Sequence, residues 1–389
     1  MTTMTPRERL LAAARFQGPD RVPVSPRLWR YMLAHGGTQK PHAYLKYAAE
    51  FDFDPIIDYR AGAVIRYPRP GSDYSKLGED ICVEETTSRE DGLVIVCRTI
   101  RTAAGTLTDR TRIPPRGGQY GIAPDNHIDE HLVKGPDDLP ALRQLVEAWA
   151  TAHPVGDLRS FIADIGDRGL VSALTQSALS YNAGDVYPLE AMMVDCYERR
   201  AFVEDLLNIF QQPLMEATRA CLEQGAEMVF CSAFFESMSA GWSPQLYREL
   251  FVPRIRSQME LVHQYGALFH VYDDGKLGAT LPILREIGVD VVSTMTQLPT
   301  GDITLADARR VAGERLCLNG GIDAVNTIWR GTPGSIDAAV REAIAQAATP
   351  AGGYILGTSD SITEETPPEN FRAFFEAGRR HGVLQTGSP

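Results

Sequence analysis

Apolar residues follow two rhythms along this chain. From Gly169 onward, short continuous apolar runs stand at Leu170–Leu174, Met228–Ser232, 267–272, 289–295, 316–318 and 354–356. Between them lie amphipathic stretches of helical length, at 201–224, 244–265 and 335–348. Unbroken runs of this kind predict strands buried on both faces, and their alternation with helices predicts parallel pairing. Nearer the start, residues 6–16 predict a helix: Thr5 suits its N-cap, Pro6 its first turn and Gly18 its end. Residues 21–25 and 54–59 predict two short strands, with a helix over 42–51 between them. Together with the six later runs these make eight β units, and so predict a (β/α)8 TIM-type barrel closed by parallel strands.

Residues 63–120 carry the other rhythm. Apolar and polar positions alternate in Ile81-Cys-Val-Glu, Leu93-Val-Ile-Val-Cys and Thr106-Leu-Thr-Asp-Arg-Thr-Arg, with Gly and Asp at the turns. This predicts an antiparallel β insertion within one barrel domain spanning 1–384. Residues 135–153 are helical again, with Asp137 and Asp138 at the favourable N-terminal end. Residues 385–389 read as a frayed tail, and neither an internal repeat nor a low-complexity segment interrupts the pattern.

Charge and composition narrow the partners. The net charge is −12 and no basic run occurs, which argues against nucleic acid. Six cysteines are scattered without a CxxC, as in a reduced cytoplasmic protein. The N-terminus lacks the apolar core of a secretory signal, and no run approaches the ~20 apolar residues that span a bilayer. A soluble cytoplasmic enzyme acting on a small molecule is expected.

Candidate chemistry clusters where strands should end. His270-Val-Tyr-Asp-Asp-Gly-Lys276 follows an apolar run. His270 suits proton transfer or metal ligation, and Asp273 or Asp274 could orient its ring or add oxygen ligands. Asp360 follows the last run, and with His270 makes an acid–base pair or part of a metal site for zinc or another divalent ion. Glu236, after the run ending at Ser232, offers a third ligand. The competing reading of each acid is an N-cap or a solvated loop carboxylate. Arg27 and Arg30 follow the first strand and suit carboxylate or phosphate; a surface arginine with a buried stem is the alternative. Tyr59, Tyr181 and Tyr272 stand near strand ends, where a phenol can stack or donate. Asn319-Gly-Gly-Ile-Asp323 is a Gly-rich turn that lets backbone approach a ligand. Cys231 and Cys317 read as buried small hydrophobes. No phosphate loop, HExxH or GxSxG occurs.

These segments, together with the opening RERLLAAARFQGPDRVPV, Trp242-Ser-Pro-Gln-Leu-Tyr-Arg-Glu-Leu-Phe-Val-Pro-Arg, Leu318-Asn-Gly-Gly-Ile-Asp and Gly352-Gly-Tyr-Ile-Leu-Gly-Thr-Ser-Asp-Ser-Ile, resemble the uroporphyrinogen decarboxylase superfamily. That superfamily includes the porphyrinogen decarboxylase and zinc-dependent methyltransferases working with a corrinoid. The resemblance implies a catalytic role for Asp58, matching the decarboxylase's aspartate near the second strand. Two departures stand out. The decarboxylase's RQAGRY-like stretch is replaced by Pro26-Arg-Leu-Trp-Arg-Tyr. The methyltransferases' His-x-Cys and final Cys are replaced by His270-Val-Tyr272 and by Asp360. The expected function is a metal-assisted methyltransferase or demethylase served by a corrinoid-carrying partner protein. Cofactor-free decarboxylation of a porphyrinogen-like or smaller acid, and non-enzymatic tetrapyrrole binding, stay open beside it. The resemblance also implies a homodimer.

Overall fold

A computed structural model describes residues 3–37, 40–62, 65–114 and 126–384. Strand β1 (Ile56–Arg60) opens a parallel sheet. Strands β2 (Cys82–Glu90), β3 (Leu93–Thr102), β4 (Gly105–Ile113) and β5 (His127–Glu130) then form a separate antiparallel sheet. The chain returns to the first sheet with β6 (Leu170–Leu174), β7 (Met228–Ser232), β8 (Leu268–Tyr272), β9 (Val291–Met295), β10 (Cys317–Ile322) and β11 (Tyr354–Thr358). The order β1-β6-β7-β8-β9-β10-β11 makes seven parallel strands, curled with helices outside. Each of the six later apolar runs became a strand.

The expected strand over 21–25 did not form, so the parallel sheet has seven strands among the described residues rather than eight. Val24 makes only an isolated parallel bridge to Leu356. Pro23 and Pro26 remove N–H donors on either side of it, so a ladder cannot extend. What holds this segment is a pair of backbone bonds to β11, from Ser25 N–H to Leu356 O (2.8 Å) and from Leu356 N–H to Pro23 O (2.9 Å). On the other side, Asp54 N–H donates to Val24 O at 2.8 Å.

The two ends of the curled sheet differ. At the strands' N-terminal end, Leu170, Met228, Leu268, Val291, Cys317 and Ile355 pack with Leu10 and Ala13 into one fully buried cluster. Leu10 and Ala13 belong to the helix Pro6–Ala14, whose Thr5 cap accepts from the Glu8 N–H as its sequence predicts. That helix plugs one end and leaves the other for chemistry.

The antiparallel sheet begins with a two-residue hairpin at Asp91-Gly92, both at positive φ, where Glu90 pairs with Leu93. Arg98 of β3 donates through Nε to Asp109 Oδ1 at 2.9 Å, and both side chains are buried. The expected insertion is therefore present, running past its expected limit at 120 to β5; the stretch 115–120 and the tail 385–389 lie outside the described residues. No helix among the described residues is long and apolar enough to cross a membrane.

Asp54 clamps the irregular segment. It is fully buried, accepts Val24 N–H at 3.0 Å, and is met by Arg9 at 2.5 Å and Arg21 at 3.3 Å. Asp54→Ala would leave buried guanidinium groups short of their countercharge. A loss of about 3 kcal/mol is expected in denaturant unfolding. A loss below about 1 kcal/mol would show that the segment is held by its backbone bonds alone.

Candidate active site

A cavity of about 630 Å³ opens at the strands' C-terminal ends. Arg27, Arg30, Asp58, Tyr181, His270, Tyr272, Asn319 and Asp360 all line it, although they come from six separate stretches of chain.

Arg27 and Arg30 arrive on the turn after the Val24 bridge. That turn is pinned by Tyr44 Oη to Pro26 O (2.8 Å), Ile362 N–H to Arg27 O (2.9 Å) and Arg30 N–H to Ser361 Oγ (3.1 Å). The Arg27 guanidinium lies 4.8 Å from the Tyr272 ring centre, 5.4 Å from that of Phe230, and 3.7 Å from Asp58. Arg30 stacks on Trp29 at 5.3 Å. Asp58 has 35 % of its side chain exposed, but to the cavity it lines. Burial within the protein raises its pKa, against the pull of Arg27 and Arg60. Arg60, two residues on and on the same face of β1, also lines the cavity.

His270 and Tyr272 share the inner face of β8. His270 stands edge-to-face on Phe230 at 4.8 Å. Both of its ring nitrogens are buried without a hydrogen-bond partner. Burial first, and the Arg27 charge second, bring its pKa down to about 3. At neutral pH it is therefore an uncharged imidazole with one N–H and one lone pair. The Tyr272 hydroxyl lies 3.0 Å from Asp274 Oδ2 and 3.4 Å from Asp360 Oδ1. Burial raises its pKa as well, so it remains a neutral phenol. Asn319 Nδ2 donates to Ile355 O at 3.2 Å and Ser25 O at 3.3 Å, joining the irregular segment to the sheet.

Four expectations are corrected by where the residues stand in the fold. Tyr59 lies on the opposite face of β1 from Asp58 and packs on Phe161 at 5.1 Å, away from the cavity. Asp273 likewise points away, and its neighbour Asp274 lines the cavity instead. The Asp273 carboxyl is buried, and that burial pushes its pKa well up. Glu236 is 2 % exposed and accepts from Ser180 Oγ at 2.6 Å. It borders a separate, water-sized space with Cys231 and Gln258, apart from His270 and Asp360. The glycines after Asn319 admit a neighbouring strand rather than a ligand: a Cβ on Gly320, at φ +133°, would stand 2.5 Å from Met295 N.

The expected metal set of His270, Asp360 and Glu236 is thus divided between two places. Among the described residues, no three His, Cys, Asp or Glu side chains are grouped to hold a metal ion. The donors present do not fit one. Burial raises the pKa of both Cys231 and Cys317, which keeps them as thiols. Gln176 lines the cavity unannounced by any sequence signal, at φ +65°. Arg60 could have been found by alternation from Asp58.

The His270 environment has a pH signature. An unfolded-chain imidazole protonates near 6.5, whereas the folded one waits until about 3. As pH falls through that window the unfolded chain binds the proton first, so stability is lost. His270→Gln should lose less stability than wild type between pH 7 and pH 5 in denaturant titrations. Equal losses would mean an imidazole that titrates in the folded protein as it does in water.

The uroporphyrinogen decarboxylase (URO-D) family model matches residues 177–381. Uroporphyrinogen decarboxylase of Trichodesmium erythraeum is 24 % identical over 270 residues, 68 % of this chain and 70 % of that protein. A methylated-thiol–coenzyme M methyltransferase of Methanosarcina mazei is 29 % identical over 135 residues, 35 % of this chain and 33 % of that one. Among solved structures, a methyltransferase from Methanosarcina mazei superposes with a TM-score of 0.62 at 16 % identity, covering 97 % of this chain and 99 % of that one. With more than half its length matched by the family model, and its charged and aromatic groups gathered at one mouth of a curled parallel sheet, this chain belongs to the uroporphyrinogen decarboxylase family.

Proposed function

We propose that the chain is an enzyme acting on a small carboxylic acid at the strand-end cavity, and that cofactor-free decarboxylation is the reaction its geometry supports best. The observation that carries this reading is Arg27 beside Asp58, in a cavity that Arg30 and Arg60 also line. A guanidinium binds a carboxylate through paired hydrogen bonds. We also read segment 22–25 as the eighth stave of the barrel, because the turn that follows it brings Arg27 to 3.7 Å from Asp58 of β1.

Charge balance sets the size of the substrate. Three guanidinium groups, of Arg27, Arg30 and Arg60, share the cavity with three acidic side chains, of Asp58, Asp274 and Asp360, and with Asp58 in its acid form one positive charge is left over, enough for one carboxylate. A porphyrinogen rich in carboxylates would call for a strongly positive cavity, so the balance favours a smaller acid. Phe230, Phe234 and Tyr272 give the cavity apolar walls, and beside such walls an uncharged product such as CO2 gains relative to a carboxylate. The carbon–carbon bond to the carboxylate breaks, CO2 leaves, and the carbon takes a proton, so RCO2⁻ plus H⁺ becomes RH plus CO2. Asp58 is the donor: its raised pKa keeps the acid form present closer to neutral pH. Neutral His270 holds an N–H or O–H of the substrate's ring.

Methyl transfer with a corrinoid-carrying partner is the second reading. It is favoured by the likeness to the Methanosarcina mazei thiol methyltransferase, and by His270 and Asp360 lining one cavity. The side chains expected to hold a metal are not together, so this second reading assigns no step to one.

The two readings part in one experiment. The protein is incubated with a panel of aromatic and heteroaromatic carboxylic acids while CO2 is followed, and separately with methylcobalamin and a thiol while the corrinoid spectrum is followed. CO2 release that Asp58→Asn reduces by about 10²–10⁴-fold supports the first reading. Because the acid form of Asp58 is the active one, the rate should fall as pH rises through its pKa. Demethylation of methylcobalamin without CO2 release would overturn the first reading in favour of the second. Arg27→Ala should weaken acid binding by about 10–100-fold, the loss of one charge-assisted contact.

A further inference from the structure

Glu236 has no part in the cavity, yet its carboxyl is almost wholly buried and tied to a turn that reaches the cavity. Its Oε2 accepts from Ser180 Oγ at 2.6 Å, and the same hydroxyl accepts the Phe235 N–H at 3.1 Å. Ser180 N–H in turn donates to Ser177 Oγ at 2.8 Å, and Asn182 Nδ2 to Ser177 O at 2.7 Å. Within this turn Ser180 is extended (φ −63°, ψ 120°) and Tyr181 is left-handed (φ 58°, ψ 12°). A residue with a Cβ keeps left-handed backbone only where its surroundings hold it there. The Tyr181 ring then stands 4.8 Å from Phe234, and lines the cavity.

We infer that Glu236 is a positioning residue: through Ser180 it holds the 177–183 turn against the loop after β7 and so fixes the Tyr181 phenol at the cavity mouth. This rests on the reading of that cavity as the reaction site. The bond asks for an acceptor of this shape rather than for a charge. Burial raises the Glu236 pKa, against the hydrogen bonds it accepts, and the bond to Ser180 needs only an acceptor oxygen at that place. A glutamine has the same shape and the same acceptor, and should do the same work.

The test has two arms. In hydrogen exchange, Glu236→Ala and Ser180→Ala should each speed exchange across residues 177–186 and at the Phe235 amide by about tenfold or more, whereas Glu236→Gln stays close to wild type. In calorimetry with indole-2-carboxylate as probe, Glu236→Ala should weaken binding by about tenfold and Glu236→Gln should leave it unchanged. In a Tyr181→Ala background, Glu236→Ala should cost nothing further, which a merely structural role would not produce. Glu236→Gln as damaging as Glu236→Ala in both arms would overturn the inference, because an acceptor of the same shape would then not suffice. So would an Ala effect that is undiminished without Tyr181. If wild type does not bind the probe, the acid reading of the cavity fails, and the exchange arm alone decides Glu236.

Discussion

A single buried carboxylate makes the irregular wall of this fold possible. Segment 21–25 runs between β11 and the stretch before β1, but prolines at 23 and 26 deprive it of the donors a strand would use. Asp54 replaces part of that ladder with its side chain, accepting Val24 N–H while two arginines neutralise it. Taking an ion out of water costs several kcal/mol, so the clamp works only because every partner is present at once. The consequence lies several residues away: the turn carrying Arg27 and Arg30 is carried to the cavity because the segment before it cannot drift.

Inside the cavity, burial competes with charge, and different groups resolve the contest differently. At His270 the two effects agree: desolvation and the Arg27 cation both oppose a second positive charge, and the imidazole is neutral. At Asp58 they oppose one another, with burial raising the pKa and Arg27 and Arg60 lowering it, and burial prevails. The result is a neutral base and an acid shifted toward neutrality within one cavity, the separation on which proton-transfer chemistry depends.

The strands were legible because fully buried parallel strands leave unbroken apolar runs, and all six runs from Leu170 onward formed strands. The helix at Pro6–Ala14 was legible through its capping pattern. Side-chain direction was not. The short run of β1 gives no sign of which face turns inward, so Tyr59 and Asp58 looked equally placed, and Asp273 and Asp274 lie beyond the end of β8, where strand alternation no longer fixes direction. Glu236 failed for another reason: its partner, Ser180, lies 56 positions away in sequence, and the hydrogen bond between them exists only after β6 and β7 pair. Segment 21–25 misled because its apolar character suits a strand while its prolines forbid the ladder.

The departures from the pattern of the zinc methyltransferases have a physical meaning of their own. Where the resemblance to zinc methyltransferases calls for two thiolates, this chain has Tyr272 and Asp360. A thiolate pair would repel unless a cation lay between them. A neutral phenol and a carboxylate need no cation: the phenol's hydroxyl lies 3.4 Å from Asp360 and 3.0 Å from Asp274, with its proton between oxygens that would otherwise face one another bare. The two substitutions thus satisfy each other, and with Asp274 they replace a ligand pair by a hydrogen-bonded wall. The Arg27 guanidinium lies over the same Tyr272 ring, 4.8 Å from its centre, so the wall carries a positive charge beside its carboxyl groups.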